Sequence, residues 1–537
     1  MKINIFIIIA AFFAVMFAPK TASAQVTQVK DIFAGPDSSS ASSLINFNGT
    51  LIFIAQDATT GYELWKSDGT ALGTVMVKDI NPGTGSSYPF GFIKIGNSLF
   101  FRADDGINGT ELWQTDGTAA GTILVKDIYS GSGSSAPITF AELNGNAYFA
   151  ADDGTGGGVQ LWKSDGTATG TMMLKAIQPY SIQNFNGVLY MKAADSNGGT
   201  ELWKSDGTTL GTTLIKDINP GSVGSNPFNL KLFNNAIYFG ANNGTDGYEL
   251  WKTDGTNVGT VMVKDINPGS SASNAAPVAL VNNILIITAN DGINGAELWM
   301  TDGTAAGTVL LKDVSTGSVS STFGGPFTVI NNTVLFSATT PNEGTELWKS
   351  DGTSSGTVLV KDINPGVTGS ISYPPTFTNF NGILYFAANN GTDGRELWNS
   401  DGTTAGTSLV QNINSTGSSF PFSLTGVNTT LFFVANDGIT GRELWKLETV
   451  SAGIKSVTKK DSYRIYPNPN NGIFNFHADD FDINTTIIVY NSLGQIILTD
   501  HILSTETTIN LSELRQGIYT VKIVSQTECS TLNMVID

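Results

Sequence analysis

Residues 61–74 read GYELWKSDGTALGT. The phrase returns as GTELWQTDGTAAGT (109–122), GVQLWKSDGTATGT (158–171), GTELWKSDGTTLGT (199–212), GYELWKTDGTNVGT (247–260), GAELWMTDGTAAGT (295–308), GTELWKSDGTSSGT (344–357) and GRELWNSDGTTAGT (394–407). A ninth copy, GRELWKLET (441–449), keeps the first half and drops the second. Every tryptophan of the protein falls inside it: Trp65, Trp113, Trp162, Trp203, Trp251, Trp299, Trp348, Trp398 and Trp445. Their separations are 48, 49, 41, 48, 48, 49, 50 and 47 residues. A period of that size marks tandem units, each unable to bury its apolar face without a neighbour.

One unit, read from Thr357, holds four strand-like runs. Val358 to Ile363 ends in a Pro-Gly turn, and Thr376 to Phe380 runs into Asn381-Gly382, a strong hairpin signal. Ile383 to Ala388 is almost wholly apolar, as a strand covered on both faces should be, and Glu396 to Ser400 meets the turn at Asp401-Gly402. Four antiparallel strands per unit describe a propeller blade. The first unit opens with VTQVKDIF (26–33), equivalent to the strand that follows ELWxSDGT, and the ninth unit lacks that strand. The N-terminal strand should therefore complete the last blade, which removes two sheet edges. The expectation is all-β: a single nine-bladed propeller of four-stranded blades over residues 26–447, with Leu64, Trp65 and their equivalents as inter-blade core.

Composition agrees. Of 537 residues, 60 are Gly and 14% are charged, against about 25% charged in typical domains, so a turn-rich β protein is expected. A net charge of −18 argues against nucleic acid as a partner, since phosphate binding needs clustered Lys and Arg. Cys529 is the single cysteine, which excludes an intrachain disulfide. Residues 1–24 carry Lys2, an apolar run from Ile3 to Ala18 and the small-residue site Ala22-Ser23-Ala24, the pattern of a secretory signal cut between Ala24 and Gln25. An uncleaved anchor is the alternative. No later stretch is long enough to span a membrane.

The repeated phrase with its GT extension resembles the ELWxxDGT repeat family of exported bacterial proteins, over about Val26 to Leu447. That resemblance implies the repeat and no particular activity. Residues 448–460 form a polar linker without periodicity. From Asp461 to Asp537 seven short runs alternate: Tyr463 to Tyr466, Ile473 to His477, Thr486 to Tyr490, Gln495 to Leu498, Thr507 to Leu511, Gly517 to Val524 and Leu532 to Ile536. They suggest a small seven-stranded β-sandwich. Its stretches YRIYPNPNNGIFNF, IIVYNSLGQII and INLSELRQGIYTVKIV resemble the type A C-terminal sorting domain of the type IX secretion system of Bacteroidota. The motif positions are Tyr466, Pro467, Asn468, Pro469, Gly472, Gly494, Gly517 and Tyr519. The resemblance implies the type IX translocon as partner and a final place outside the cell or on the outer-membrane surface. The chain ends without the basic residues expected of that family.

Chemistry is narrowed by absence. Both histidines, His477 and His501, lie in the C-terminal domain, so residues 25–460 contain neither His nor Cys. A Ser-His-Asp triad, a Cys nucleophile and nearly every zinc site are thereby excluded from the propeller. No catalytic residue is assigned and no cofactor is expected. Glycoside hydrolysis (or polysaccharide cleavage by a lyase) remains the enzymatic alternative, because hydrolysis needs only two carboxylates about 5 to 10 Å apart. The available acids lie in the loop before each ELW: Asp57, Asp104, Asp105, Asp152, Asp153, Asp195, Asp246, Asp291, Glu343, Asp393 and Asp437. Asp152-Asp153 is the most deviant of these loops, and there Gln160 replaces the glutamate of ELW. Ca²⁺ is the possible metal, with Asp104, Asp105, Asp152, Asp153, Asp291 and Asp437 as weak candidate ligands. The competing reading is a turn whose Asp bonds its own backbone. The eight glutamates beginning with Glu63 read as strand-edge charges capping neighbouring loops rather than as catalytic acids. Binding or adhesion to a glycan or protein, through the loop-lined face, is the functional expectation; a purely structural surface component is the third reading.

Overall fold

The computed structural model describes residues 25–321, 323–372, 375–448, 463–478, 485–491, 495–502, 504–524 and 529–537. The expected signal segment with Ala24, nearly all of the linker, and Gly494 lie outside them. The described residues divide into two compact units, 25–448 and 463–537.

In the larger unit, blade 1 is built from Ser42–Phe47, Thr50–Ala55, Glu63–Ser67 and Val75–Lys78, antiparallel and hydrogen-bonded in that order. Seven more sheets repeat the pattern. The ninth joins Phe422–Val427, Thr430–Asn436 and Arg442–Glu448 to Gln25–Lys30, with Gln25 opposite Glu448 and Gln28 opposite Trp445. The N-terminal strand therefore does supply the missing edge. First strands of neighbouring blades lie against one another at eight of the nine seams, including that of blades 1 and 9, and line the inner wall; the seam of blades 4 and 5 is the exception.

Hydrophobic packing gives an independent test of closure. Leu64 packs with Phe47, Leu99 and Trp113 at the seam of blades 1 and 2. Trp65, on the opposite face of the same strand, packs with Val29, Phe432 and Leu444 at the seam of blades 9 and 1. Among the described residues the unit holds nine such clusters, one for each seam. An open row of nine blades would have one fewer. The nine tryptophans are 5–9% exposed, and each buries apolar area equivalent to roughly 4–6 kcal/mol as an upper limit.

Polar groups of the repeated phrase lock the same seams. Lys78 Nζ donates to the Thr122 carbonyl at 2.7 Å and lies 5.7 Å from the centre of the Trp113 ring. Lys30, Lys126, Lys264 and Lys361 repeat both contacts on the following blade. Blade 8 carries Gln411 at this position, and the ninth unit, which stops before its DGT, offers no such threonine. The DGT connection is longer than a two-residue hairpin. Asp68 Oδ1 accepts from the Thr70 N–H and hydroxyl, Thr70 Oγ1 accepts from the Gly73 N–H, and the Ser67 and Thr74 hydroxyls pair at 2.7 Å. Between first and second strands, Asn381 and Gly382 take φ of 54° and 80°, the type I′ turn that its Asn-Gly pair favours. Asn-Asn pairs such as Asn234-Asn235 make the same turn, both at positive φ.

The C-terminal unit has all seven expected strands in two sheets. Tyr463–Tyr466, Ile473–Ala478 and Glu506–Asn510 form one; Ile496–His501, Thr486–Tyr490, Gly517–Val524 and Cys529–Ile536 form the other. Phe474, Phe476 and Ile509 from the first meet Ile487, Val489, Val521 and Met534 from the second in one core. The fourth strand is Ile496–His501 rather than Gln495 to Leu498, beside a register shift between Val489 and Tyr490.

Candidate functional site

The loop before each ELW and the connection that leaves each blade lie together. In blade 1 the Gly61 N–H donates to the Gly85 carbonyl, and the Ser87 N–H donates to the Tyr62 carbonyl. The glutamate of ELW holds this face in place. Glu63 is fully buried and accepts from the Ile80 N–H at 2.8 Å, the Ser87 N–H at 3.0 Å and the Ser87 hydroxyl at 2.6 Å. Glu111, Glu249, Glu346 and Glu396 make the same set. Glu443 does so for the N-terminal segment, through the N–H groups of Ile32 and Ser39. The capping role read from sequence is therefore correct, although these are interior side chains rather than strand-edge charges. Burial pushes the carboxyl of Glu63 and of its seven equivalents above the ordinary range, against the pull of the donors.

The acidic loops close on themselves. Asp105 Oδ1 accepts from the N–H groups of Ile107 and Asn108, while its Oδ2 accepts from the Asn108 amide at 2.7 Å. Asp291 repeats this with Ile293 and Asn294, and Asp437 bonds the N–H groups of Ile439 and Thr440. Asp153 accepts from Thr155, and Asp104 and Asp152 accept from the N–H groups of Gly106 and Gly154. Although partly desolvated, Asp105, Asp291 and Asp437 are held below the usual carboxylate range by these donors. Among the described residues no group of three or more His, Cys, Asp or Glu converges as a metal cage.

One blade breaks the pattern. Between the outer strand of blade 3, Met172–Lys175, and the first strand of blade 4, Gln178–Phe185, only Ala176 and Ile177 intervene. No serine-bearing loop exists there for a glutamate to cap, which accounts for Gln160. In six other blades the incoming connection sends a side chain under the acidic loop. A Cβ on Gly106 would fall 2.7 Å from Asn81 Oδ1, and on Gly244 2.6 Å from Asn219 Oδ1. Blade 4 has no such neighbour beneath its loop. A cleft of about 290 Å³ is found at this blade, lined among others by Asp195, Asn197, Glu201, Trp203, Asp217 and Ser222. Glu201 is 5% exposed where its equivalents are 0%. Among the described residues seven indole N–H groups are sealed in the interior without a partner, and those of Trp203 and Trp398 are not among them.

Of the acids named from sequence, Asp195 lines this cleft. Asp152 and Asp153 belong to the preceding blade. Trp203 and Asp217 were not singled out as site residues. The 41-residue interval between Trp162 and Trp203 was the available signal, since a shortened connection uncovers whatever it would have covered.

In the C-terminal unit several motif residues named from sequence bond or pack against the strands and turns around them. Asn468 Oδ1 accepts from the Val535 N–H at 2.8 Å, and the Asn470 N–H donates to the Val535 carbonyl at 2.9 Å. Gly472 takes φ of 90°, and a Cβ there would fall 2.6 Å from Ser512 Cα. The Tyr519 hydroxyl donates to the Arg515 carbonyl at 2.8 Å, four residues before it, near Gly517. Tyr466 donates to Glu506 at 3.0 Å, and Pro467 and Pro469 both follow cis bonds. The family model for the secretion system C-terminal sorting domain matches residues 464–537. This unit is a type IX sorting domain.

The sorting domain marks the protein as secreted or surface-attached, with the type IX machinery as partner. Among the described residues no helix is long and apolar enough to cross a membrane. No curated protein matched the chain. Similar solved structures include PorZ, described as an essential bacterial surface component of the type-IX secretion system of human oral-microbiomic Porphyromonas gingivalis. It is 13% identical, with a TM-score of 0.34, over 92% of this chain and 75% of that one. A puromycin hydrolase is 13% identical, with a TM-score of 0.35, over 68% of this chain. A structure from a study of two prolyl endopeptidases is 11% identical, with a TM-score of 0.35, over 83% of this chain. The chain spans 60% and 55% of those two proteins.

Proposed function

We propose that this protein is a surface-displayed binding or adhesion protein whose ELWxxDGT-like propeller engages its ligand through the loop face, at the cleft of blade 4. The opening there, left by the shortened connection that precedes blade 4, is the single observation that carries the reading. The cleft offers the indole of Trp203 beside the carboxylates of Asp195 and Asp217, the Asn197 amide and the Ser222 hydroxyl. An aromatic edge among hydrogen-bonding groups suits a neutral saccharide, whose C–H faces and hydroxyls need both. Retention of the exported chain on glycan and protein arrays tests this, with Ser222→Trp as the variant that fills the cleft from an exposed position. Retention on a neutral glycan that disappears in the variant is expected. No retention on either array, or identical retention by both proteins, overturns the assignment.

A second reading, hydrolysis of the same glycan, is favoured by the three carboxylates lining one cleft. Glu201 is occupied by donors from Ile218, Asn219 and Ser225. Asp195 and Asp217 would have to act as the pair. Release of reducing ends that vanishes in Asp217→Asn would establish it; glycan bound and recovered intact would remove it.

A further inference from the structure

The inner wall carries basic residues that the repeat does not account for. Between residues 25 and 448, fourteen lysines occupy repeated positions, at the end of the outer strand or after the tryptophan. Six basic residues fall elsewhere: Lys94, Arg102, Lys192, Lys231, Arg395 and Arg442. Four of these six stand on first or second strands, the elements nearest the axis: Lys94 on Phe90–Ile95, Arg102 on Ser98–Asp104, Lys192 on Val188–Ala194 and Lys231 on Phe228–Phe233. The repeat does not require these charges, so packing does not explain them.

Two of them share a cavity. A space of about 560 Å³ is bounded by first strands of blades 4 to 7, with Lys192, Lys231, Gln183, Asn229, Phe228 and Phe327 on its walls. No Asp or Glu lines it, in a protein of net charge −18. Neither lysine forms an ion pair among the described residues, and Lys192 Nζ rests 5.9 Å from the centre of the Tyr180 ring. Burial alone depresses the Lys192 ammonium, with no neighbouring carboxylate to compensate. Two uncompensated cations in a concave space attract an anion, and field focusing between low-dielectric walls strengthens that attraction. The two phenylalanines add flat apolar faces beside the charges, and Gln183 and Asn229 add neutral donors.

We propose that this inner-wall cavity binds an anionic oligosaccharide, its acidic groups on Lys192 and Lys231 and its sugar faces against Phe228 and Phe327. The site is separate from the blade-4 cleft and does not depend on it.

Calorimetric titration of the exported full chain with three defined probes tests the proposal: an oligogalacturonate, a sulfated dextran oligomer and a neutral dextran oligomer. Binding of at least one anionic probe, weakening as salt rises, with no binding of the neutral one, is expected. The carboxylated and sulfated arms tell which acid group is preferred. Lys192→Gln with Lys231→Gln should weaken that binding by at least about tenfold, the scale of losing charged hydrogen bonds. Lys94→Gln, outside the cavity, and Ser222→Trp, in the other cleft, should leave it unchanged, so failure of the loop-face reading is distinguishable from failure of this one. Unchanged far-ultraviolet circular dichroism and melting temperature confirm that the double variant folds. Equal binding of neutral and anionic probes, no binding of either anion, salt-insensitive binding, or an unaltered double variant each overturns the proposal.

Discussion

A carboxylate buried in every blade but one has consequences that substitution exposes. Glu249 receives the Ile266 N–H at 2.7 Å and the Ser273 N–H at 2.9 Å. An amide presents only one acceptor oxygen, and its NH₂ would face groups that are themselves donors. Glu249→Gln should therefore cost about 2–3 kcal/mol, measured by denaturant unfolding. Gly121 is constrained by shape: a Cβ there would stand 2.1 Å from Asp116 Oδ1. Gly121→Ala should destabilise by roughly 1–3 kcal/mol, because the Asp116 side chain must abandon Thr118 to make room. At this scale the sequence was informative about which residues matter, since tryptophan, glutamate and glycine recur in place. It was less informative about why. Nothing in ELW reveals that its Glu is interior, because the donors come from a connection 17 to 24 residues further on.

Among the elements, the shortened connection after blade 3 and Gln160 form one change in two places. Restoring one without the other should be worse than restoring both. Gln160→Glu alone places a carboxylate where no serine and no loop N–H awaits it, and should lower stability by about 1 kcal/mol. Adding the connection of blade 4, Asp217 to Ser225, between Lys175 and Gln178 should remove that penalty and cover the cleft. A double-mutant cycle by chemical denaturation measures the coupling, which neighbouring sites of this kind are expected to show. The strands themselves were legible because their alternation, Asn-Gly turns and apolar second strands are local signals. The cleft was not. An opening is made by what is absent, and it appears one blade beyond the deviant loop Asp152-Asp153 because each connection shelters the blade that follows it.

For the whole molecule, pH acts through two opposed sets of carboxyls. The glutamates of ELW sit above their ordinary value of 4.5, so the folded state holds their protons more tightly than the unfolded chain, and stability falls as pH rises through that window. The DGT aspartates sit below 3.8, so their contribution is present above that value and is lost as pH drops further. Growing negative charge above the isoelectric point of about 4.5 adds repulsion in the same direction as the glutamates. The melting temperature should peak in mildly acidic buffer and decline toward pH 8; a steady rise to pH 8 would refute this account. Closure is a further expectation at this scale. Deleting Gln25–Lys30 bares the edge of Arg442–Glu448 and uncovers the Val29 and Ile32 cluster, so the truncated chain should lose its single cooperative melt and aggregate. Within the ring, the first strand pairs with the last: the Ile32 N–H bonds Glu443, 411 residues away. Eight hairpin-rich blades form from near neighbours, but the circle waits until Arg442–Glu448 has been made, so its completion is set by how long two distant segments take to find each other.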